Sequence, residues 1–397
     1  MIVGPCLVVT GGDEPRVIEN GAVRVVGAHI AQMGEAGTLA SSYPDETVWP
    51  ARGRVLLPGL VNTHAHLARH LARGLDLATR GDWDRYDRAL TPDAVHASVM
   101  AALAEGVRHG VTTVCDFHRS GGCLDLSLVE VAGAALEVGV RLATCYGATD
   151  DDPEDERRAS LEESLGLAAD LKRRREGRLR GTVGVRAHSL STIERLLEES
   201  LAAAEGLAVH VDLDLDVTVA ERWNGTLPRG HTPSLWAHAE RAPRRLAGLA
   251  AERGDSLATT GAASLTVMRE AAWGSDAGAN APPLPPGPHG ASVTGAAPYH
   301  KLFVAGARWA STHFGEGLGA IEPGAPADLI LVDYRPATEL SRRTLDAHLA
   351  AGLLRSPVSG VMVGGEILLD NGTFVTLDEN RVAAQARECA RRVWSRM

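Results

Sequence analysis

Two histidines, His64 and His66, stand one residue apart at the end of the apolar segment 56–61. This pattern predicts a buried strand that runs into the histidine pair. Because side chains alternate between the two faces of a strand, both imidazoles lie on the same face. Neighbouring imidazoles at a strand end can share one divalent metal ion, and the alternative is a pair of polar residues at the mouth of a loop.

Further residues of metal-binding type occur later in the chain. His210 lies inside an apolar strand pattern, His238 follows Trp236-Ala237, and Asp276 follows Trp273-Gly274-Ser275. A single histidine in an apolar strand is more often a hydrogen-bonded core residue than a metal ligand. The three residues together fall where additional ligands for an ion at the histidine pair are needed.

The elements that must position these residues alternate in type between about residues 58 and 318. Strand patterns are followed by amphipathic helices, such as the one after Thr91, which begins with Pro92 and ends before Gly110. Repeated strand–helix units favour a parallel barrel with its chemistry at the carboxyl ends of the strands. The predicted fold class is therefore α/β, a TIM-like (β/α)8 barrel with a small additional β-domain.

That second domain is predicted to combine both ends of the chain. Residues 1–57 and 319–397 contain short alternating strands that cannot bury a core separately, so we expect one composite β-sandwich. The terminal amphipathic helix is expected to pack on this sandwich. The barrel domain is predicted to span residues 58–318.

Composition limits the classes of partner. The 397-residue chain has a net charge of −10, which argues against nucleic acid and anionic membranes as partners. No apolar run approaches the roughly 20 residues of a membrane span, and the N-terminus has no signal-peptide pattern. Five dispersed cysteines without a C-x-x-C pair suit reduced thiols. We predict a cytoplasmic protein that acts on a small molecule.

Nearly the whole chain resembles the amidohydrolase superfamily, in its deaminase and chlorohydrolase branch, and it is most similar to the SsnA-like aminohydrolases. The motifs that carry the resemblance are LLPGLVNTHAHLARHLARGL, IEPGAPADLILVDY and VSGVMVGGEILLDNGTF. The stretch 218–290 is degraded relative to the family pattern. Homodimers are common among such proteins, which makes a homodimer a further expectation.

The resemblance implies a set of site residues. His64, His66, His210 and Asp276 would bind the metal, His238 would orient the hydrolytic water, and Asp276 would take the proton of that water. Three imidazoles and one carboxylate suit zinc first and iron second, better than calcium or magnesium. A water bound to such an ion can have a pKa near ~7, which makes hydroxide available at neutral pH.

The lysine content favours a single ion. Two-metal members of the superfamily often bridge their metals with a carbamylated lysine on a barrel strand. Lys172 and Lys301 are the only lysines, and neither lies in a strand pattern. We therefore expect one divalent metal ion.

Several positions depart from the family pattern. Leu213 stands where the deaminases carry the glutamate that shuttles a proton to the leaving amine. Arg186 replaces the fourth-strand histidine that usually touches substrate, Arg241 replaces a second histidine after the sixth strand, and the seventh-strand motif has become 259–261, Thr-Thr-Gly. Asp212 and Asp214 share the face of His210, and one of them could replace the lost glutamate.

These features leave two hypotheses for function. The first is a metal-dependent hydrolase acting on a carbon–nitrogen bond, other than a peptide bond, in an amide, amidine or amino-heterocycle. The second is a divergent descendant that has lost deaminase chemistry and serves as a binding protein or pseudo-enzyme. The retained metal-binding set favours the first hypothesis, and Leu213 favours the second.

Three further residues are candidates for substrate binding. Arg186 and Arg241 would face the pocket mouth, and paired guanidinium groups would favour an anionic substrate through two-pronged hydrogen bonds. The alternative is that the arginines pair with nearby acids, for instance Arg241 with Asp212 or Glu240. His118 ends a strand pattern and is expected to line the pocket.

Overall fold

The computed structural model describes residues 1–204, 206–215, 223–228, 230, 232–260, 268, 270–276 and 298–397. Two hydrogen-bonded sheets of nine strands organise the described residues, one drawn from the chain ends and one from the middle of the chain. Gly261, the last residue of the altered seventh-strand motif, lies outside the described residues.

The first sheet is built from both ends of the chain. Its strands are β1 (Ile2–Val9), β2 (Val17–Val26), β3 (His29–Glu35), β4 (Val48–Trp49), β5 (Val55–Pro58), β15 (Leu329–Val332), β16 (Val358–Val363), β17 (Glu366–Asp370) and β18 (Thr373–Phe374). The two halves meet where β5 pairs antiparallel with β15, with Leu57 opposite Ile330. One short helix, α1 (Ala36–Ser42), accompanies the N-terminal strands. The strands of the two chain ends thus form one sheet, as the sequence predicted.

The second sheet is a near-closed barrel of eight parallel strands, so the predicted fold class is confirmed. The barrel strands are β6 (Leu60–Ala65), β7 (Val111–His118), β8 (Arg141–Thr149), β10 (Val183–Ala187), β11 (Val209–Leu213), β12 (Leu235–Ala237), β13 (Ser256–Thr260) and β14 (Ala272–Gly274), and β9 (Leu179–Gly181) pairs with β8. The domain boundaries at residues 57 and 319 stay predictions.

Helices alternate with the barrel strands. They are α2 (Arg80–Ala89), α3 (Pro92–Arg108), α4 (Ser127–Val138), α5 (Glu154–Arg174), α6 (Ile193–Ala203), α7 (Arg244–Glu252), α8 (Gly306–Phe314), α9 (Leu345–Ala351) and the terminal α10 (Glu379–Trp394). A 3-10 helix follows the histidine pair (Leu67–Ala72), and a π-helix precedes α8 (His300–Ala305). Among the described residues, no helix has the length and apolarity needed to cross a membrane.

Helix α3 illustrates how local sequence sets the ends of these elements. Pro92 opens the helix, where its missing N–H removes no hydrogen bond. Gly110 follows the end with φ of +83°, and a Cβ atom at this position would lie 2.9 Å from Ile330 Cδ1. Glycine therefore permits both the left-handed turn and the close packing of the barrel against the terminal sheet.

The sequence predicted that the terminal helix α10 packs on the terminal sheet, but in the structure it packs mainly on helices of the barrel domain. It lies against α2, α3 and the 3-10 helix of the barrel domain, and Trp394 Nε1 donates to the Leu71 carbonyl at 2.9 Å. The chain leaves edge strand β18 beside the end of α3, where Arg108 Nη1 donates to the Gly372 carbonyl. The apolar face of α10 therefore contacts the barrel helices.

A buried ion pair joins the two sheets. Arg141, at the amino end of β8, donates through Nε and Nη2 to the two carboxylate oxygens of Asp328 at 2.7 and 3.0 Å. The Gly364 N–H also donates to Asp328 Oδ1. Both side chains are less than a tenth exposed, so the pair depends on its own hydrogen bonds rather than on water.

We expect Arg141→Gln to lower the free energy of unfolding by about 3–5 kcal/mol, because it leaves the buried Asp328 carboxylate without its counter-ion. Arg54→Gln is a matched control, since Arg54 joins the two chain ends through the half-exposed Asp333 and should cost at most about 1 kcal/mol. Urea unfolding of both variants measures the difference. Equal, small losses would contradict the role assigned to the buried pair.

Candidate metal centre

His64 of β6 meets His210 of β11 inside the carboxyl end of the barrel, and His66 directly follows β6. His64 Nδ1 lies 2.9 Å from His210 Nε2, and both residues are almost completely buried. Strand β14 approaches closely here, because a Cβ atom at Gly274 would lie only 2.7 Å from His64 Cβ. Glycine at this position therefore lets the first and last barrel strands come together at the histidines.

His66 is oriented by a backbone carbonyl. Its Nδ1 donates to Phe117 O at 2.8 Å, because a carbonyl oxygen can only accept. The lone pair is therefore on Nε2, which lies 3.5 Å from Asp276 Oδ1 and 3.6 Å from Asp212 Oδ2. A hydrogen-bonded second nitrogen is the usual way in which proteins aim a histidine at a metal.

His238 and Asp276 both have left-handed backbone conformations, with φ of +55° and +59°. Such non-glycine conformations cost on the order of 1–3 kcal/mol and cluster at functional sites. The two side chains face each other, with His238 Nε2 3.6 Å from Asp276 Oδ1. The backbone of Asp276 also bonds to β6, through its N–H to His64 O and through its carbonyl to the His66 N–H.

The other ring nitrogen of His238 is held by a pair of residues that sequence reasoning missed. Thr260 Oγ1 donates to Glu240 Oε1 at 2.9 Å, so it must accept from His238 Nδ1 at 2.7 Å. Nδ1 therefore carries a hydrogen, and Nε2 is the ring nitrogen that faces Asp276. The i+2 spacing of His238 and Glu240 was visible in the sequence, but the partner Thr260 comes from the next strand.

Burial and neighbouring charges set the ionisation of the cluster. Burial lowers the pKa of His64 to about 4 and lowers the pKa of His66 and His210 well below the ordinary value, which keeps these imidazoles neutral. Burial alone would raise the pKa of Asp276, but contact with His238 outweighs it and holds the pKa well below its usual range. Neutral imidazoles and an ionised carboxylate are the forms that bind metals.

Asp212 is a second carboxylate of the cluster. Its contacts there were not predicted from the sequence. It pairs in strand register with Arg186, whose Nε donates to Asp212 Oδ2 at 2.7 Å. Burial opposes ionisation of Asp212, but the Arg186 guanidinium and the imidazoles keep its pKa well below the ordinary range. Leu213, next along β11, packs in the apolar cluster with Trp236 and Leu246 instead. The alternation of β11 predicted that Asp212 shares the face of His210, but its contact with Arg186 depends on the register of the neighbouring strand.

The two candidate substrate-binding arginines are both paired with acids. Arg186 Nη2 also lies 3.3 Å from His66 Nε2, and its guanidinium packs 5.2 Å from the centre of the Phe117 ring. Arg241 donates through Nη1 to Asp214 Oδ1 at 3.0 Å, rather than to Asp212 or Glu240. The partner is Asp214 because the turn after β12 carries Arg241 past the end of β11.

The expectation that His118 lines the pocket stays a prediction, and His118 is not among the described residues that line the two cavities at the metal centre. His118 is completely buried at the end of β7, its Nε2 lies 2.8 Å from Ser120 Oγ, and its ring packs against Tyr146.

A polar cavity of about 400 Å³ opens over the cluster. It is lined by His66, Arg69, Ala78, Thr79, Arg80, Trp83, Arg186, Asp212, Asp214, His238, Arg241 and Asp276. It shares Arg69, Arg80, Trp83, Arg186 and Asp214 with an adjoining cavity of about 570 Å³. The size and polarity of these spaces suit a small molecule.

The residues present fit a divalent ion. The possible ligand atoms of His64, His66 and Asp276 lie within 4.8 Å of one another, as do those of His64, Asp212 and His238. Zinc–ligand bonds of about 2.0–2.2 Å place two ligands of one ion at most about 4.2 Å apart, close to these separations. His64 Nε2 and Asp212 Oδ1 are buried without a hydrogen-bond partner among the described residues.

The two lysines lie outside the barrel strands, and the number of metal ions stays a prediction. Lys172 is in the last turn of α5. Lys301 lies in the π-helix, where Nζ donates to Thr259 Oγ1 and to the carbonyls of Met268 and Ala271.

Comparison with known proteins agrees with the barrel and its site. The pattern of the amidohydrolase family matches residues 55–227. The 5-methylthioadenosine/S-adenosylhomocysteine deaminase of Natronomonas pharaonis is 27% identical over 92% of this chain and 93% of its own length. The corresponding enzyme of Moorella thermoacetica is 28% identical over 93% of this chain and 94% of its own length.

Solved structures share the fold. Atrazine chlorohydrolase from Arthrobacter aurescens TC1, complexed with zinc, is 19% identical with a TM-score of 0.73, covering 98% of this chain and 99% of that one. An adenosine deaminase from Xanthomonas campestris with bound zinc is 20% identical with a TM-score of 0.72, covering 99% and 98%. The family match and the relatives named as deaminases support a metal-dependent hydrolase of carbon–nitrogen bonds other than peptide bonds. The chain is thus similar to amidohydrolases, and the non-hydrolytic alternative is not favoured.

Below the cluster, Asp116 of β7 supports the turn that follows the histidine pair. Its Oδ1 accepts the Leu67 N–H and its Oδ2 accepts the Thr144 hydroxyl, both at 2.9 Å. The side chain is completely buried, and burial raises the pKa of Asp116 to about 7. This group is therefore a source of pH-dependent stability.

A raised carboxyl pKa favours the folded state below the unfolded-state pKa near 4, and this contribution is lost as pH rises to about 7. Asp116→Asn keeps the shape but cannot ionise, and the Thr144 hydroxyl can turn to accept from the amide. We expect the stability of the variant relative to wild type to rise between pH 4 and pH 7 by up to about 4 kcal/mol. Urea unfolding across this range measures it, and a constant difference would contradict the assigned pKa.

Proposed function

We propose that this protein is a single-ion zinc hydrolase of a carbon–nitrogen bond in a small molecule. His64, His66, His210 and Asp276 would hold the ion, and His238 would contact the attacking water. The observation that carries the proposal is the convergence of buried, neutral imidazoles with a partly exposed, ionised carboxylate beneath a polar cavity. Iron remains the second choice of metal, as it was from the sequence.

The proposed mechanism assigns the proton transfers to two side chains. A bound divalent ion supplies Lewis acidity, which makes the attacking water more acidic. Asp276 Oδ1 takes the proton of that water. His238 Nε2, 3.6 Å away, carries the proton onward to the leaving nitrogen, while the Thr260–Glu240 pair holds its Nδ1–H.

The route through His238 follows from the departures on β11. Leu213 cannot carry a proton, and it packs away from the cavity in an apolar cluster. Asp212 is held ionised by Arg186, so it is a poor proton donor at neutral pH. The loss of the family glutamate therefore changes how the leaving group is protonated, and the hydrolytic class is retained.

The substrate class comes from the cavity and the relatives. The similar deaminases are named for adenosine derivatives, which places amino-heterocycles first among the candidates, with amides and lactams next. The cytoplasmic location and the homodimer expected from the sequence stay part of the proposal.

Metal analysis tests the core of the proposal. Protein purified without chelator should contain about one equivalent of zinc or iron, and His64→Ala should lose most of it because a ligand is removed. His96→Ala is the matched control, since His96 contacts Glu130 and Glu137 on the outer helices. Asp276→Asn should lower metal-dependent turnover in a screen of these substrates by about 10²–10⁴-fold. Wild-type turnover in Asp276→Asn would refute the mechanism.

The preference for an anionic substrate is assigned to Arg241. Its side chain is one third exposed in the cavity, and among the described residues only its Nη1 makes a hydrogen bond. Arg186 uses its donors on Asp212 and His66 and is buried. Arg241 therefore has donors left for a substrate carboxylate.

We expect Arg241→Lys to reduce the preference for a carboxylate substrate over its methyl ester by roughly 10–100-fold, the loss of one charge-assisted hydrogen bond of about 1.5–3 kcal/mol. Arg186→Lys should lower kcat/KM for both compounds alike, because Arg186 acts inside the cluster. The ratio of kcat/KM for acid and ester in the three proteins measures this. An unchanged ratio in Arg241→Lys would show that Arg241 does not discriminate the carboxylate substrate from its ester.

A further inference from the structure

Asp212 lies in the cluster at the same distances as the expected ligand Asp276. Asp212 Oδ2 is 3.6 Å from His66 Nε2, and Asp212 Oδ1 is 3.6 Å from His238 Nε2. For Asp276 Oδ1 the corresponding distances are 3.5 and 3.6 Å. Two carboxylates from different strands thus approach the same two imidazole nitrogens.

One oxygen of Asp212 has no hydrogen-bond partner. Among the described residues, Asp212 Oδ1 accepts no hydrogen bond and is inaccessible to solvent. His64 Nε2 is likewise buried without a partner, and the ligand atoms of His64, Asp212 and His238 lie within 4.8 Å of one another. A buried carboxylate oxygen that makes no hydrogen bond is costly unless a cation meets it, so this arrangement suits a bound cation.

Arg186 accounts for the other oxygen. Its Nε donates to Oδ2 at 2.7 Å, and the adjacent strand register of β10 and β11 sets this contact. The guanidinium packs on Phe117, which limits its movement. Arg186 therefore fixes the orientation of the carboxylate and leaves Oδ1 directed at His64 and His238, as residues behind a metal ligand commonly do.

We propose that Asp212 Oδ1 is an additional ligand of the metal ion and that Arg186 is its positioning residue. The inference rests on the proposed metal-dependent function and goes beyond its ligand set. It gives Asp212 a role in metal binding rather than in replacing the lost proton-carrying glutamate. It also explains why a cationic side chain is tolerated at Arg186, since the second carboxylate balances its charge beside the ion.

The test measures metal affinity by competition with a chromogenic chelator, and coordination by the visible absorption of the Co²⁺-substituted protein. Asp212→Asn should weaken Zn²⁺ binding by more than about 100-fold, beyond the 10–100-fold typical of residues behind a ligand, and should change the Co²⁺ spectrum. Asp214→Asn is the matched control on the same strand end, because Asp214 pairs with Arg241 and His188. Its affinity and spectrum should match wild type.

A second pair of variants distinguishes the loss of a metal ligand from misfolding. This control is needed because removing one partner of an ion pair leaves a buried charge unpaired. Arg186→Gln alone should weaken Zn²⁺ binding by no more than about 10–100-fold, the loss typical of a residue behind a metal ligand. The double variant Arg186→Gln/Asp212→Asn removes both charges and should bind Zn²⁺ as weakly as Asp212→Asn. If the double variant binds as tightly as Arg186→Gln, Asp212 is not a ligand.

The results separate this inference from the proposed function. If wild type binds one ion and Asp212→Asn keeps both affinity and Co²⁺ spectrum, the inference is wrong and the proposed function stands. If wild type binds no ion under any loading condition, both are wrong.

Discussion

The backbone pairing of Asp276 with the end of β6 is the constraint on which the site depends. The Asp276 N–H bonds to His64 O at 3.0 Å, and the His66 N–H bonds to Asp276 O at 3.3 Å. This contact brings the last barrel strand against the first and carries the only carboxylate of the expected ligand set to its histidines. Gly274 allows the approach, since any side chain there would collide with His64. The left-handed φ of Asp276 is the local cost of this closure.

Charge balance among buried side chains determines how the rest of the cluster is arranged. Burial keeps the imidazoles of His64, His66 and His210 neutral, so their lone pairs remain available. A guanidinium among them would be costly alone, and Arg186 is stabilised by its hydrogen bond to Asp212. The pair places equal and opposite charges beside the imidazoles. Arginine on β10 and aspartate on β11 are therefore best understood as one linked feature of this chain.

The terminal sheet packs against the amino ends of the barrel strands. The Arg141–Asp328 pair and the contact of Gly110 with Ile330 join the amino ends of the strands to β15. These contacts lie at the end of the barrel opposite the cluster, so the cavity side is free to differ. Departures such as Leu213 and Arg241 occur on that side, where loops and strand ends set substrate and proton transfer.

The sequence by itself determined the types of the elements and the faces of their strands. Alternation placed His64 with His66 and put Asp212 on the face of His210, and the strand–helix repeat predicted the barrel, because these patterns depend on local periodicity. Tertiary structure alone decided the partners. It paired Arg241 with Asp214, turned His118 toward Ser120, and laid α10 on the barrel helices. Such contacts depend on the register of neighbouring strands and on the paths of turns between them, which local sequence patterns do not specify.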